Sequence, residues 1–235
     1  MIAVRANPLR LVVFDMDGTI VDSQANIIRA VGEVAKILGL PGPPAEQVPR
    51  VIGLSLDEAL AMLFPGVDTS THKHLDREYR EAFVRLRASP EYREPLFEGT
   101  HEILDALEGA GFLLGIATGK AKRGVNHVLN LHGLTGRFVT IQTPEDAPGK
   151  PHPGMVLQAM SQTGVEPKNT VMVGDTTYDI HMGLAAGVKT VGVSWGNHPA
   201  EDLRVAGAHR LIDRLSELLH AAEALTSATS WESGQ

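Results

Sequence analysis

Two aspartates, Asp15 and Asp17, stand directly after the apolar run Leu11, Val12, Val13 and Phe14, in the segment Asp15-Met16-Asp17-Gly18-Thr19. An unbroken apolar run with two β-branched members predicts a strand buried on both faces, so the carboxylates fall where a central strand leaves the core. Like charges at the edge of a low-dielectric interior repel unless a cation or hydrogen-bond donors compensate them. Gly18 lets the backbone turn sharply and leaves N–H groups facing the same space, which suits an anion. Such carboxylates beside an anion cradle could transfer a phosphoryl group, although an Asp-rich turn after a strand has the same local sequence.

Three later apolar runs also end in polar residues. Residues 113–117 are closed by Thr118-Gly119-Lys120, residues 138–141 are followed after a loop by Gly149-Lys150-Pro151, and residues 170–173 are closed by Gly174-Asp175-Thr176-Thr177-Tyr178-Asp179. Singly, each has an ordinary reading: Thr118 as a helix cap, Lys150 as a solvated charge, Asp175 and Asp179 as acids favoured by a helix N-terminus. Together and in this order they supply the hydroxyl, the ammonium and the further carboxylates that one phosphoryl-transfer site needs.

The elements that must position these residues follow from periodicity. Ile27, Val31, Val34 and Leu38 recur at helical spacing, as do Leu56, Leu60 and Leu63, and, after a turn at Pro65-Gly66, Leu75, Tyr79, Phe83 and Leu86. No strand is expected between Ser23 and Arg93. Beyond Pro95, helices over 100–109, 123–131, 153–163 and 179–186 alternate with strands, the last over 190–193, before terminal helices. This alternation predicts an α/β fold with a doubly wound parallel sheet, interrupted after its first strand by a helical insert. The expected division is a core of residues 1–22 and 94–235 and a helical cap of residues 23–93. Residues 224–235, rich in Ser, Thr and Ala, are expected to fray.

Composition agrees with a small enzyme. At 235 residues and 43% hydrophobic, the chain has material for one large domain and a smaller one. It has no Cys, which excludes disulfides and thiol catalysis and fits a reducing cytoplasm. Residues 1–10 lack the apolar segment of a signal peptide, and no stretch approaches the ~20 apolar residues of a membrane span, so a cytoplasmic protein with no membrane partner is expected. A formal net charge of −7 argues against nucleic-acid binding. The histidines, among them His72, His74, His101, His127 and His132, show no paired metal-ligand spacing. His152 is a candidate only by its nearness to Lys150, and Trp195 reads as a buried residue.

The ordered set resembles the haloacid dehalogenase superfamily, whose signature is an Asp-x-Asp-Gly-Thr strand end, a Ser or Thr strand end, a Lys, and a Gly-Asp pair with a second Asp a few residues on. The likeness covers residues 11–219, and the segment from Asp15 to Ser23, the surroundings of Gly149-Lys150-Pro151-His152-Pro153 and the position of the insert look like the phosphoglycolate-phosphatase-like branch. One departure is visible: many members of that branch carry Asn where this chain has Gly119.

The resemblance implies a Rossmann-like core of strand order 5-4-1-2-3, which sets Asp15 and Asp17 beside Asp175. Three carboxylates converging there would need a divalent cation, and Mg²⁺, which takes oxygen ligands and few carboxylates, is the expected cofactor. Its implied ligands are a carboxylate oxygen of Asp15, the backbone carbonyl of Asp17 and the carboxylate of Asp175, with Asp179 behind them. By the same resemblance Asp15 is the nucleophile that forms an aspartyl phosphate, and Asp17 is the general acid and base. Gly18, Thr118, Gly119 and Lys150 are implied to bind the phosphate. The implied substrate is a small phosphorylated metabolite, a phosphoglycolate-like monoester. A phosphomutase of the β-phosphoglucomutase kind shares these parts and stands as the alternative. A dehalogenase gives Asp17 no task, and a non-catalytic binding relative has no need of Asp15, Asp17, Thr118, Lys150 and Asp175 together. In the insert, Arg50 of Val48-Pro49-Arg50-Val51-Ile52-Gly53 is a candidate for reading the substrate, against its ordinary reading as a solvated loop cation. No motif bears on oligomeric state.

Overall fold

The computed structural model describes residues 8–226. The first apolar run forms β1 (Arg10–Phe14), and β2 (Phe112–Ala117), β3 (Thr140–Gln142), β4 (Thr170–Gly174), β5 (Lys189–Val193) and β6 (Arg210–Ile212) join it in one sheet of order β3-β2-β1-β4-β5-β6. All neighbouring strands pair in parallel. β1 is central, with Val12 opposite Leu114 on one side and Val171 on the other. The expected order of the first five strands holds. β6 is an addition: three residues at an edge are too short to show alternation, and terminal helices were expected there.

Between β1 and β2 the chain forms α1 (Gln24–Ile37), a short 3₁₀ turn at Pro49–Val51, α2 (Leu56–Leu63) and α3 (Thr69–Ala88), with no strand. These helices have a hydrophobic cluster of their own, which includes Val31, Val34, Leu60, Leu63, Leu75, Phe83 and Leu86. Ser55 and Glu58 form a capping box at the start of α2, and Asp68 accepts from the Ser70 and Thr71 N–H groups at the start of α3. Each cap contributes about 1 kcal/mol and fixes where a helix begins. The insert leaves and rejoins the sheet at one place: the Asp22 N–H donates to the Pro95 carbonyl at 2.8 Å and the Phe97 N–H to that of Ile20 at 3.1 Å.

After β2 the elements alternate. α4 (Thr100–Gly109), α5 (Lys122–Leu131), α6 (Gly154–Thr163), α7 (Thr177–Ala185), α8 (Ala200–Val205) and α9 (Leu218–Thr226) are the helices of the remaining described residues. Side chains alternate faces along β1, so Val12 and Phe14 pack with α4, α5 and α9, while Leu11 and Val13 pack with α6 and α7. Burial on both faces is why the strands read as unbroken apolar runs. The third run gives β3 later than the expected 138–141, because Phe138 leads into the core from a loop and meets Phe14 edge-on, ring centroids 6.5 Å apart. The expected frayed tail is helical through Thr226, and its remainder lies outside the described residues. Among the described residues no helix is long and apolar enough to cross a membrane.

Candidate active site

Parallel strands bring their C-terminal ends to one edge, and the reversal of strand order between β1 and β4 opens a crevice there. Asp15 follows β1 directly, and its N–H still donates to the Val173 carbonyl at 2.9 Å, so the ladder fixes its backbone. Its side chain is fully buried, as is that of Lys150 from the loop before α6. Lys150 Nζ lies 2.7 Å from Asp15 Oδ1 and 2.6 Å from Asp179 Oδ1. Asp179 Oδ2 accepts from the Thr176 backbone N–H at 3.0 Å and its hydroxyl at 2.7 Å, closing the capping box of α7. Asp179 therefore caps a helix with one oxygen, its ordinary reading from sequence, and holds the lysine with the other, a contact the sequence did not indicate.

Asp175 follows β4. Thr19 Oγ1 donates to its Oδ1 at 2.9 Å, and the backbone N–H and Nδ2 of Asn197 donate to its Oδ2 at 2.7 and 2.8 Å. Gly18 carries a φ of +89°, and a Cβ at that position would stand 2.2 Å from Asp175 Oδ2, so only glycine fits.

The carboxylates that converge are those of Asp15, Asp175 and Asp179, each offering an oxygen within 4.8 Å of the others. Asp17, expected as the third, turns elsewhere: Ser23 Oγ donates to its Oδ1 at 2.6 Å and Lys120 Nζ approaches the same oxygen at 2.9 Å. The cause is local. The strand ends at Phe14, and the N–H groups of Thr19, Ile20 and Val21 all turn back to the Met16 carbonyl, so the two-residue parity of a strand no longer holds at Asp17.

Electrostatics point to a missing positive charge. Burial pushes the Asp15 carboxyl well above the usual carboxylate range, and the neighbouring Asp179 and Asp175 add to this against the opposing pull of Lys150. Asp175 is pushed up to about 6 by burial and then by Asp179, against hydrogen bonds from Asn197 and Thr19. Burial alone would lower the Lys150 ammonium, but Asp15 and Asp179 outweigh it and hold it above the ordinary lysine range. One ammonium cannot balance three carboxylates, and the buried Asp15 Oδ2 has no hydrogen-bond partner among the described residues. An orphaned buried oxygen within an all-oxygen donor set fits a hard divalent cation.

Thr118, at the end of β2, is buried, and its Oγ1 accepts from the Lys120 N–H at 3.2 Å. Gly119 lies against the insert: a Cβ there would stand 2.2 Å from the Leu54 carbonyl oxygen. Arg50 does not join the site. Its exposed guanidinium pairs with Asp202 of α8 at 2.7 Å, and its carbonyl accepts from the Tyr178 hydroxyl at 3.0 Å, so it ties the insert to the sheet layer. His152 Nδ1 accepts from the Gly154 N–H at 3.0 Å and has no contact with the carboxylate cluster among the described residues. Trp195 is half-buried, donating to the Thr19 carbonyl and packing against Phe97.

Four residues beyond the sequence reading complete the site. Lys120 Nζ sits between Asp17 and the buried Glu94, at 2.9 and 3.3 Å, while Ser23 and Asn197 orient Asp17 and Asp175. Ser23 and Lys120 belong to the same polar strand ends and had a signal. Asn197 and Glu94 had none, since each reaches the centre only through the fold.

Carboxylates and a lysine gathered at the C-terminal edge of a doubly wound parallel sheet define an α/β enzyme whose chemistry sits at its strand ends. The model of the haloacid dehalogenase-like hydrolase family matches residues 12–193, and the chain belongs to that family. A protein from Dickeya dadantii named probable phosphatase IndB is 34% identical over 222 residues, covering 94% of this chain and 96% of that one. A phosphoglycolate phosphatase from Xylella fastidiosa is 34% identical over 194 residues, 82% of this chain and 83% of its own. Among solved structures, one from Bacteroides fragilis, described as a haloacid dehalogenase-like hydrolase, superposes with a TM-score of 0.82 at 26% identity, over 89% of this chain and 99% of that one.

Proposed function

We propose that the protein is a Mg²⁺-dependent phosphatase that hydrolyses a small phosphomonoester through an aspartyl phosphate on Asp15. The observation that carries this reading is the Asp15 carboxylate itself, buried, held at one oxygen by Lys150 and without a hydrogen-bond partner at the other among the described residues. The similarity to proteins named phosphatase and phosphoglycolate phosphatase supports the substrate class, with phosphoglycolate as the reference compound.

Asp15, the Asp17 carbonyl and Asp175 would hold the cation, with Asp179 behind them. Once bound, it would offset the carboxylates and the charge of the phosphoryl oxygens. Asp15 attacks phosphorus in line, and its C–O–P bond forms as the bond to the ester oxygen breaks. The Lys150 ammonium, the Thr118 hydroxyl and the loop N–H groups at Gly18 and Gly119 meet the phosphoryl oxygens. Ser23 and Lys120 both hold Asp17 Oδ1, which leaves Oδ2 as the oxygen that carries the proton. Asp17 protonates the departing alkoxide, then takes a proton from the water that attacks the aspartyl phosphate, releasing phosphate and restoring Asp15.

In this reading residues 23–93 are a cap over a core made of 1–22 and 94–235, and the Gly119 and Arg50 contacts belong to its closed form. A cytoplasmic setting, drawn from the composition, belongs to the same reading. The test is phosphate release from a panel of phosphomonoesters, before and after chelation and with Mg²⁺ restored. Asp15→Asn should abolish release while leaving the circular dichroism spectrum unchanged, since an amide is a poor nucleophile for phosphorus. Activity near wild type in Asp15→Asn removes the assignment.

A further inference from the structure

A cavity of about 250 Å³ opens on Asp17, between the helical insert and the end of β2. Most of its wall is apolar: Ile27 and Val31 from α1, Leu60 and Leu63 from α2, Tyr79 and Phe83 from α3. A two-carbon alcohol such as glycolate would cover little of that wall. An apolar surface of this extent beside a leaving-group acid is matched by an apolar leaving group.

The polar groups of the wall narrow the choice. Lys120 is committed to Asp17 and Glu94, and Arg80 is held by both oxygens of Asp76 at 2.7 and 2.8 Å. Arg87 differs. Its Nε is buried with no hydrogen-bond partner among the described residues, and its guanidinium lies 5.5 Å from the Phe83 ring centroid. No carboxylate among the described residues pairs with the Arg87 guanidinium, and the acid of the cavity wall, Asp17, is already taken, so this wall cation is open to an anionic edge of a ligand. At Gly119, where the resembled branch carries an amide side chain, the Gly53-Leu54 backbone occupies the space instead, so no side-chain donor comes from that position.

Resting on the phosphatase reading, we infer that the alcohol released by this site is larger than glycolate. It has a ring-sized apolar body that packs on Val31, Leu60 and Phe83, and a carboxylate edge that accepts from Arg87. The test compares kcat/KM with Mg²⁺ for phosphoglycolate, benzyl phosphate and 4-(phosphonooxymethyl)benzoate. All three release a primary alcohol that needs protonation, so differences among them report the pocket. Benzyl phosphate should exceed phosphoglycolate by roughly tenfold or more, the scale on which a hydrophobic pocket discriminates. The carboxylated ester should gain about a further tenfold from a charge-assisted hydrogen bond. Ala59→Phe, which adds a ring to the cavity from a half-buried position on α2, should collapse the advantage of benzyl phosphate over phosphoglycolate. Arg87→Gln should erase the advantage of the carboxylated ester over benzyl phosphate. Should Ala59→Phe fail to fold, the wild-type ranking decides alone. Phosphoglycolate turned over as well as both aromatic esters overturns the inference and leaves the phosphatase reading standing. Hydrolysis of none of the three, nor of any ester in the wider panel, overturns both.

Discussion

Asp15 and Asp17 are two residues apart and face different company, so their losses should differ in kind. In the proposed mechanism Asp17→Asn removes a proton donor and leaves the attacking group in place. Its effect should be largest for alkyl phosphates and smallest for an aryl phosphate whose phenol departs without a proton. Equal losses at the chemical step for both ester types would count against the acid role. The positions of Asp15 and Asp175 were legible in the sequence because strand ends are legible, whereas Lys150, in the loop between β3 and α6, was picked out by its motif. The divergence of Asp17 was not legible. It depends on how residues 16–21 coil after the strand stops, which no periodicity records.

Between elements, the contact of the insert with the loop after β2 leaves no room for a side chain. A Cβ on residue 119 would lie 2.2 Å from the Leu54 oxygen and 2.6 Å from that of Gly53, so Gly119→Ala must push backbone away rather than a side chain. Displacement of the order of an ångström beside a reacting centre can cost about 100-fold, and Gly119→Ala should lower kcat/KM on that scale with little change in thermal midpoint. Unaltered kinetics would mean that the Gly53-Leu54 loop does not matter to turnover. The Arg50 latch is weaker. Its pair with Asp202 is exposed on both sides, and such pairs contribute about 0–1 kcal/mol, so Arg50→Ala should change kcat/KM by no more than roughly fivefold, equally for anionic and neutral substrates. A large loss confined to anionic substrates would restore Arg50 as a substrate reader. The helices of the insert were readable from their apolar spacing, but the direction of a loop arginine between two of them was not. That direction is set by Asp202, 152 residues away along the chain.

For the molecule as a whole, the carboxylate cluster links stability to pH and, in the proposed function, to metal. Asp175 keeps its proton up to about 6 in the fold, against an ordinary 3.8, so between those values the folded chain holds a proton that the unfolded chain has released. The stability which that proton brings is full below the lower value and is lost as pH rises through the upper. Mg²⁺ must displace protons at about pH 5 and far fewer at about pH 7.5, so the rise in melting temperature on adding it should be larger at the higher pH. An equal rise at both would separate the cluster from metal binding. The alternation of runs was enough to lay out the sheet, since a central parallel strand has few alternatives once both faces are apolar, whereas the short edge strand β6 left no pattern. The central place of β1 also has a temporal side. It is the first strand to be synthesised, yet its two neighbours are β2 and β4, encoded far downstream. The insert, whose contacts are local, can condense while the ribosome is still at work, but residues 11–14 stay unpaired until Phe112–Ala117 emerges and stay half-paired until Thr170–Gly174 does. A translation product that stops short of β4 therefore carries an exposed hydrophobic strand, a candidate for chaperone capture, and an Asp15 carboxylate with nothing to hold it.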